Sequence, residues 1–216
     1  MKVVSLNVGL PREIVYKGRS IVTGIFKEPV EGRVRARLLN LDGDRQADLT
    51  VHGGAEKAVY VYPAEHYDYW RAELPDVEFK WGMFGENFSV EGLNENEVRI
   101  GDRFRIGSTL FMVTQPRMPC YKLAAKFARD DMIKRFLRSR RTGFYFSVIE
   151  EGEVGAGDRI DLAGRGESDI TVADITELYV SKGRDLELLS RAALVKELPA
   201  SWRDYFREQI EKASAQ

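Results

Sequence analysis

Val98-Arg-Ile-Gly-Asp-Arg-Phe-Arg-Ile106 returns in altered form as Val154-Gly-Ala-Gly-Asp-Arg-Ile-Asp-Leu162. In both stretches Gly-Asp precedes a run in which charged and apolar residues alternate. Glycine and aspartate favour a turn, and a period of two marks a strand with one wet and one dry face. The echo is too short to denote a duplicated domain. It predicts one local solution used twice within a single sheet or barrel.

The neighbouring segments extend this pattern. Residues 32–38 alternate Arg33, Arg35 and Arg37 with Val34, Ala36 and Leu38, as a half-exposed strand does. Val59-Tyr-Val-Tyr62 is a short β-prone run stopped by Pro63, where a helix can begin. Residues 64–74 then put Tyr67, Trp70 and Leu74 on one helical face, closed by Pro75. Residues 109–114 and 144–149 predict further strands. Between them, 121–127 and 131–138 predict short helices, the second capped by Asp130. After Gly166 the texture changes. Residues 171–179, 186–198 and 202–213 carry apolar positions three and four apart, with Gly183 and Pro199 as breaks. Ser201 and Asp204 have the spacing of a capping box. The expected fold is mostly β with inserted helices: a β-rich body over 1–164 and a three-helix segment over 165–216. That segment holds no cysteine or histidine, so its expected role is packing or contacts.

A chain that is 44% hydrophobic and 31% charged has the composition of a soluble globular protein. Its net charge of −1 supplies no general attraction to nucleic acid or anionic lipid. The first apolar stretch is too short for a signal peptide, and no later one reaches membrane-spanning length. A single cysteine without an export signal fits a reducing compartment. A cytoplasmic protein with no nucleic-acid or membrane partner is therefore expected.

That cysteine lies in Thr114-Gln-Pro-Arg-Met-Pro-Cys-Tyr-Lys122. One thiol forms no internal disulfide and no four-thiolate zinc or iron–sulfur site. Three roles stay open for Cys120: a nucleophile, a single ligand to a metal that brings its other ligands, or inert packing. Pro116 and Pro119 stiffen the approach, and Arg117 and Lys122 stand where they can stabilise a thiolate. A second stretch, Asp48-Leu-Thr-Val-His52-Gly-Gly54-Ala-Glu-Lys57, joins adjacent glycines to a histidine and a lysine. Backbone N–H groups of paired glycines can approach an anion closely. The stretch is either an oxyanion site or a tight turn with His52 as a structural hydrogen-bonder. In Phe84-Gly-Glu-Asn87, Glu86 and Asn87 belong to a pocket or merely to a turn. No P-loop, G-x-G-x-x-G, paired-histidine or G-x-S-x-G motif is present, and His66 is assigned to the surface of its helix.

Taken in order, Gly43-Asp-Arg-Gln-Ala-Asp48, His52-Gly-Gly54, Lys57-Ala-Val59, Tyr62-Pro63, Gly85-Glu-Asn87, Gly101-Asp102 and Gln115-Pro-Arg-Met-Pro-Cys120 resemble the MOSC domain. That family is named for the C-terminal domain of molybdenum-cofactor sulfurase. The resemblance is closest to its small bacterial hydroxylaminopurine-resistance branch. It spans about residues 20–162, and the three-helix tail is similar to that branch's extension.

The resemblance implies a β-barrel body and a molybdopterin-type molybdenum cofactor whose metal is bound by Cys120. It also implies reduction of N-hydroxylated compounds, such as hydroxylamino purines and hydroxylamines, to amines. By the same correspondence His52, Gly53, Gly54, Lys57, Asn87 and Arg117 are assigned to the pterin and phosphate. A thiolate suits a soft metal that already carries dithiolene sulfurs, and cations and N–H groups suit a phosphate. Asp48 and His52 are the two candidates for proton supply. With no cluster cysteines and no flavin or nicotinamide motif, electrons are expected from a separate reductase. The pyridoxal-phosphate domain of the full sulfurase is missing, so that cofactor is not expected. The main alternative is a carrier that holds sulfur or cofactor on Cys120 without turnover; a scaffold with a buried, inert thiol is the third.

Overall fold

Gly101 and Gly157, the turn glycines of the echo, both take positive φ (88° and 87°), and the strands that follow them lie side by side. A computed structural model, which describes residues 1–47, 53–182 and 184–214, shows the arrangement. The chain opens with β1 (Lys2–Val8), a hairpin of β2 (Arg12–Tyr16) and β3 (Arg19–Thr23), and the short β4 (Glu28–Pro29) and β5 (Arg33–Ala36). Then come β6 (Val59–Pro63), α1 (His66–Glu73), β7 (Phe88–Glu91), β8 (Arg103–Ile106) and β9 (Thr109–Pro116). Helices α2 (Tyr121–Phe127) and α3 (Met132–Ser139) precede β10 (Phe144–Glu150), β11 (Gly152–Gly155) and β12 (Ile160–Gly164). Helices α4 (Val172–Val180), α5 (Leu186–Ala192) and α6 (Ala200–Ser214) complete the described chain.

Eight strands form one sheet in the order β12-β8-β9-β10-β6-β7-β1-β4. The echo strands β8 and β12 are antiparallel neighbours, with Ile106 opposite Ile160. Only β6 and β7 pair in parallel among these ladders, which a hairpin cannot achieve, so α1 lies in the crossover between them. The sheet curls until its far edge returns to the first strand: Lys2 bridges Arg159, and Ile160 N–H donates to Met1 O at 3.0 Å. Val3 N–H also donates to Asp158 O (2.9 Å) and Gly157 N–H to Val3 O (2.8 Å), but among the described residues the seam holds one isolated bridge and not the continuous ladder of a closed barrel.

Strand β6 divides the interior. All five of its residues are buried, so no polar alternation marks it, as befits a strand covered on both faces. Val59 and Val61 enter one core with Val113, Phe144 and Phe146. Tyr60 and Tyr62 enter a second with Trp70, Phe84, Phe127 and Phe136. Trp70 Nε1–H donates to Tyr62 Oη at 2.6 Å, which satisfies the one polar atom of an indole whose burial contributes roughly 2–3 kcal/mol.

Four local expectations are corrected. Asp130 does not cap α3; its carboxylate takes a hydrogen bond from Tyr16 Oη (2.8 Å) and an ion pair from Lys17 (2.9 Å) at the tip of the β2–β3 hairpin. Ser201 does not cap α6, because the helix begins at Ala200 and Trp202 N–H already closes its first turn on Pro199 O (3.0 Å). Helix α5 stops at Ala192, and the chain tightens into three-residue turns, Leu194 N–H to Arg191 O and Val195 N–H to Ala192 O. His66 is not on the surface: its side chain is 14% exposed, with Nε2 2.8 Å from Glu95 Oε2. No described helix is long and apolar enough to cross a membrane.

Candidate functional site

Strand β9 ends at Pro116, and the chain passes through Arg117, Met118 and Pro119 to Cys120 at the N-cap of α2. There Cys120 is extended (φ −127°, ψ 175°) and its side chain makes no capping bond. The half-buried thiol lines a cavity of about 640 Å³, counted with its open mouth. Five cationic residues share that lining, Lys27, Arg45, Lys57, Arg117 and Lys122, and among the described residues no aspartate or glutamate does.

These cations are held differently. Lys27 is ion-paired to Asp44, a contact buried on both sides; burial lowers its pKa, while Asp44 opposes the shift. Half-buried Lys57 also has a lowered pKa, again from loss of water, with Glu56 acting against it. Lys122 is buried in the first turn of α2.

Arg117 is 6% exposed. Its guanidinium lies over the rings of Tyr60 (5.1 Å) and Phe136 (5.3 Å). Nη1 is buried and has no hydrogen-bond partner among the described residues. Burial works to lower the Arg117 pKa, but Tyr60, Tyr145 and Cys120 outweigh it and raise the value, so the group stays charged. A buried donor without an acceptor costs about 1–3 kcal/mol, and an anionic guest in the cavity would remove that cost.

The aromatic wall follows from sheet register. Tyr60 of β6 sits opposite Tyr145 of β10, with ring centroids 5.3 Å apart. Burial raises the pKa of both phenols, and Arg117 pulls against it. Both remain protonated at neutral pH.

Asn87 lines the cavity, yet its amide is engaged on the protein side. Oδ1 accepts from Tyr60 N–H (3.0 Å), while Nδ2 donates to Asn7 O (3.2 Å) and Asp44 Oδ2 (2.9 Å). Asp44 also accepts from Gly9 N–H (2.9 Å). Asn87 and Asp44 thus form one clamp that fixes β6, β7 and Lys27 around the cavity.

Of the residues expected from sequence, the fold brings Cys120, Arg117, Lys57 and Asn87 to one cavity. Gly53 and Gly54 lie just ahead of the single 3₁₀ turn Ala55–Lys57, with Gly54 at positive φ (98°), and are not in the lining. Asp48 and His52 fall outside the described residues. Lys27, Arg45, Tyr60 and Tyr145 were not expected. Arg45 stands within the Gly43–Asp48 motif without being singled out, and no local motif marks the other three, whose place depends on which segments become neighbours.

The arrangement supplies one soft donor, several cations and a protonated aromatic wall. Among the described residues no group of three or more His, Cys, Asp or Glu side chains could hold a bare metal ion. The site therefore fits a metal that arrives with ligands of its own on an anionic carrier. A molybdopterin phosphate meets that requirement, and the bare Nη1 of Arg117 is the feature of the protein that fits it.

The family described as "MOSC domain" matches residues 48–161, and "YiiM-like, 3-alpha helix domain" matches residues 170–213. YflK, an uncharacterized protein of Bacillus subtilis, is 41% identical over 210 residues, covering 97% of this chain and 95% of its own. The crystal structure of YiiM from Geobacillus stearothermophilus superposes with a TM-score of 0.81 at 32% identity, over 97% of this chain and 98% of that one. A Gibberella moniliformis protein named "Reductase" is 30% identical over 201 residues, 91% of this chain but 35% of that longer protein.

Proposed function

The chain belongs to the MOSC family and carries a YiiM-like three-helix extension, and from that premise we propose that it is a molybdenum-cofactor enzyme reducing N-hydroxylated compounds, hydroxylamino purines and hydroxylamines among them, to amines. The family is associated with molybdenum-cofactor binding. The name of the longer fungal relative supports the redox direction. The observation that carries the proposal is that Cys120 and Arg117, whose buried Nη1 has no hydrogen-bond partner among the described residues, line one cavity to which no described carboxylate contributes.

When bound, the cofactor would supply the two-electron chemistry that N–O cleavage requires. Cys120 would hold its metal through Sγ, the one thiolate in the chain. Arg117, Lys57 and Arg45 would bind its phosphate, and the Gly53–Gly54 backbone would lie beside them. Asn87 would act through the clamp, keeping Lys27 and Tyr60 in place, instead of reading the pterin directly. Tyr60 and Tyr145 would wall off water with neutral rings. The net conversion takes up two electrons and two protons and releases water. Asp48 and His52 remain our candidates for the protons, and a separate reductase for the electrons.

The test is molybdenum and released pterin per chain in native protein and Cys120→Ser, both produced in a cofactor-competent host and purified anaerobically. Near-stoichiometric molybdenum that is lost in Cys120→Ser is the expected result. Absence of both from the native protein, where a control molybdoenzyme loads normally, would overturn the proposal.

A further inference from the structure

Trp202 in the first turn of α6 reaches the candidate site through two hydrogen bonds. Its Nε1–H donates to Gln115 Oε1 at 2.9 Å, with both residues buried. Gln115 Nε2 in turn donates to Glu56 O at 3.3 Å, and Thr114 Oγ1 donates to the same oxygen at 2.7 Å. Glu56 is the middle residue of the 3₁₀ turn Ala55–Lys57, which carries Lys57 to the cavity and follows Gly54. Gln115, near the end of β9, stands two residues before Arg117 in the chain. One amide therefore links the helical extension to the backbone of the turn that bears a cavity cation.

The Trp202 ring is already surrounded by Tyr179, Tyr205 and Phe206, so apolar packing alone would hold the helix. The indole N–H adds direction. By occupying Gln115 Oε1, it orients the amide with its NH₂ toward Glu56 O. The flipped amide would present its oxygen to that carbonyl, and the two oxygens would repel.

We infer that Trp202 and Gln115 are positioning residues, through which the C-terminal extension sets the 54–57 turn and thereby Lys57 in the anion cavity. The inference rests on the proposed function insofar as the cavity takes an anion. It gives the extension a part in ligand binding that its lack of cysteine and histidine conceals.

The test uses the full cofactor-free chain with inorganic phosphate as probe. Trp202→Phe keeps the ring and removes the first link; Gln115→Glu keeps an acceptor for Trp202 and removes the second. Ala192→Gly, in α5, loosens the extension without touching the relay. Phosphate affinity is read by calorimetry, and backbone hydrogen exchange over residues 53–58 by mass spectrometry. Both relay variants should weaken phosphate about fivefold, the scale of one lost hydrogen bond, and speed exchange in the turn. Ala192→Gly should lower the melting temperature and leave phosphate affinity at the native value. Native affinity in both relay variants, or an equal loss in Ala192→Gly, would overturn the inference. If the native chain bound no phosphate, the anion cavity itself would fail, and unchanged exchange over 53–58 in the relay variants would overturn the positioning of the turn as well.

Discussion

Lys126 of α2 is half-buried, and Ile25 O (2.9 Å) and Gly82 O (2.5 Å) accept hydrogen bonds from its amine. Loss of water penalises the charged form and brings its pKa down to about 7, while Glu86 pulls the other way. In the unfolded chain a lysine titrates near 10.4, at roughly the free value. Between those limits the unfolded chain binds a proton that the folded chain does not, so stability rises with pH across that window. Below pH 7 both states are charged and the full cost is present. The unfolding free energy of the native protein should therefore gain about 2 kcal/mol more than that of Lys126→Met between pH 7 and pH 9. Urea denaturation at each pH measures the difference, and parallel curves would mean that Lys126 stays charged throughout. Residues of this kind were not legible in the sequence. Cys120, Arg117 and Lys57 could be read because residue type and order mark them. Lys126 and Lys27 are surface-like by composition, and only the packing of 24–27 against 82–87 gives them their surroundings.

At the scale of elements, Gly143 shows how a strand entry builds the site. It precedes β10 at positive φ (62°), gives its N–H to buried Glu95 Oε1 (2.7 Å), and offers its carbonyl to Arg117 N–H (3.2 Å). A Cβ at this position would overlap Val61 O and press on the rings of Tyr60 and Tyr62 at 2.9 Å. Gly143→Ala combines backbone strain with overpacking and is expected to cost about 2–4 kcal/mol. It should also weaken phosphate binding, because Arg117 loses its backbone anchor. Chemical denaturation with parallel phosphate titration checks both, and a variant as stable as the native protein would remove Gly143 from the site's support. The echo strands and β5 were legible because one face of each is wet. The hairpin β2–β3 was not, because Ile14-Val15 and Ile21-Val22 place apolar residues side by side, and Val15 is 77% exposed. That pairing erases the period of two on which a strand is recognised.

For the whole molecule, the division at residue 164 separates texture but not core. Ile175, Leu178, Leu189, Trp202 and Phe206 from the extension share one buried cluster with Phe104, Phe111 and Phe146 from the sheet. Taking five such side chains out of water is worth on the order of 10 kcal/mol, as much as the entire stability of an ordinary domain. Neither the sheet nor the helices could lose the other and keep that margin, so the two parts should unfold together. Trp70 and Trp81 lie on the aromatic side of the body and Trp202 in the extension, which allows each part to be followed separately. Fluorescence of Trp202→Phe reports the body, and that of a Trp70→Phe/Trp81→Phe variant reports the extension. Each signal should coincide with far-ultraviolet circular dichroism measured on the same variant, in one transition. An extension signal that melted ahead of circular dichroism would make the helices a separable domain, and the link from Trp202 to the 54–57 turn would then open before the sheet does. Coincident transitions fit a cavity whose cations are fixed from both parts of the chain at once.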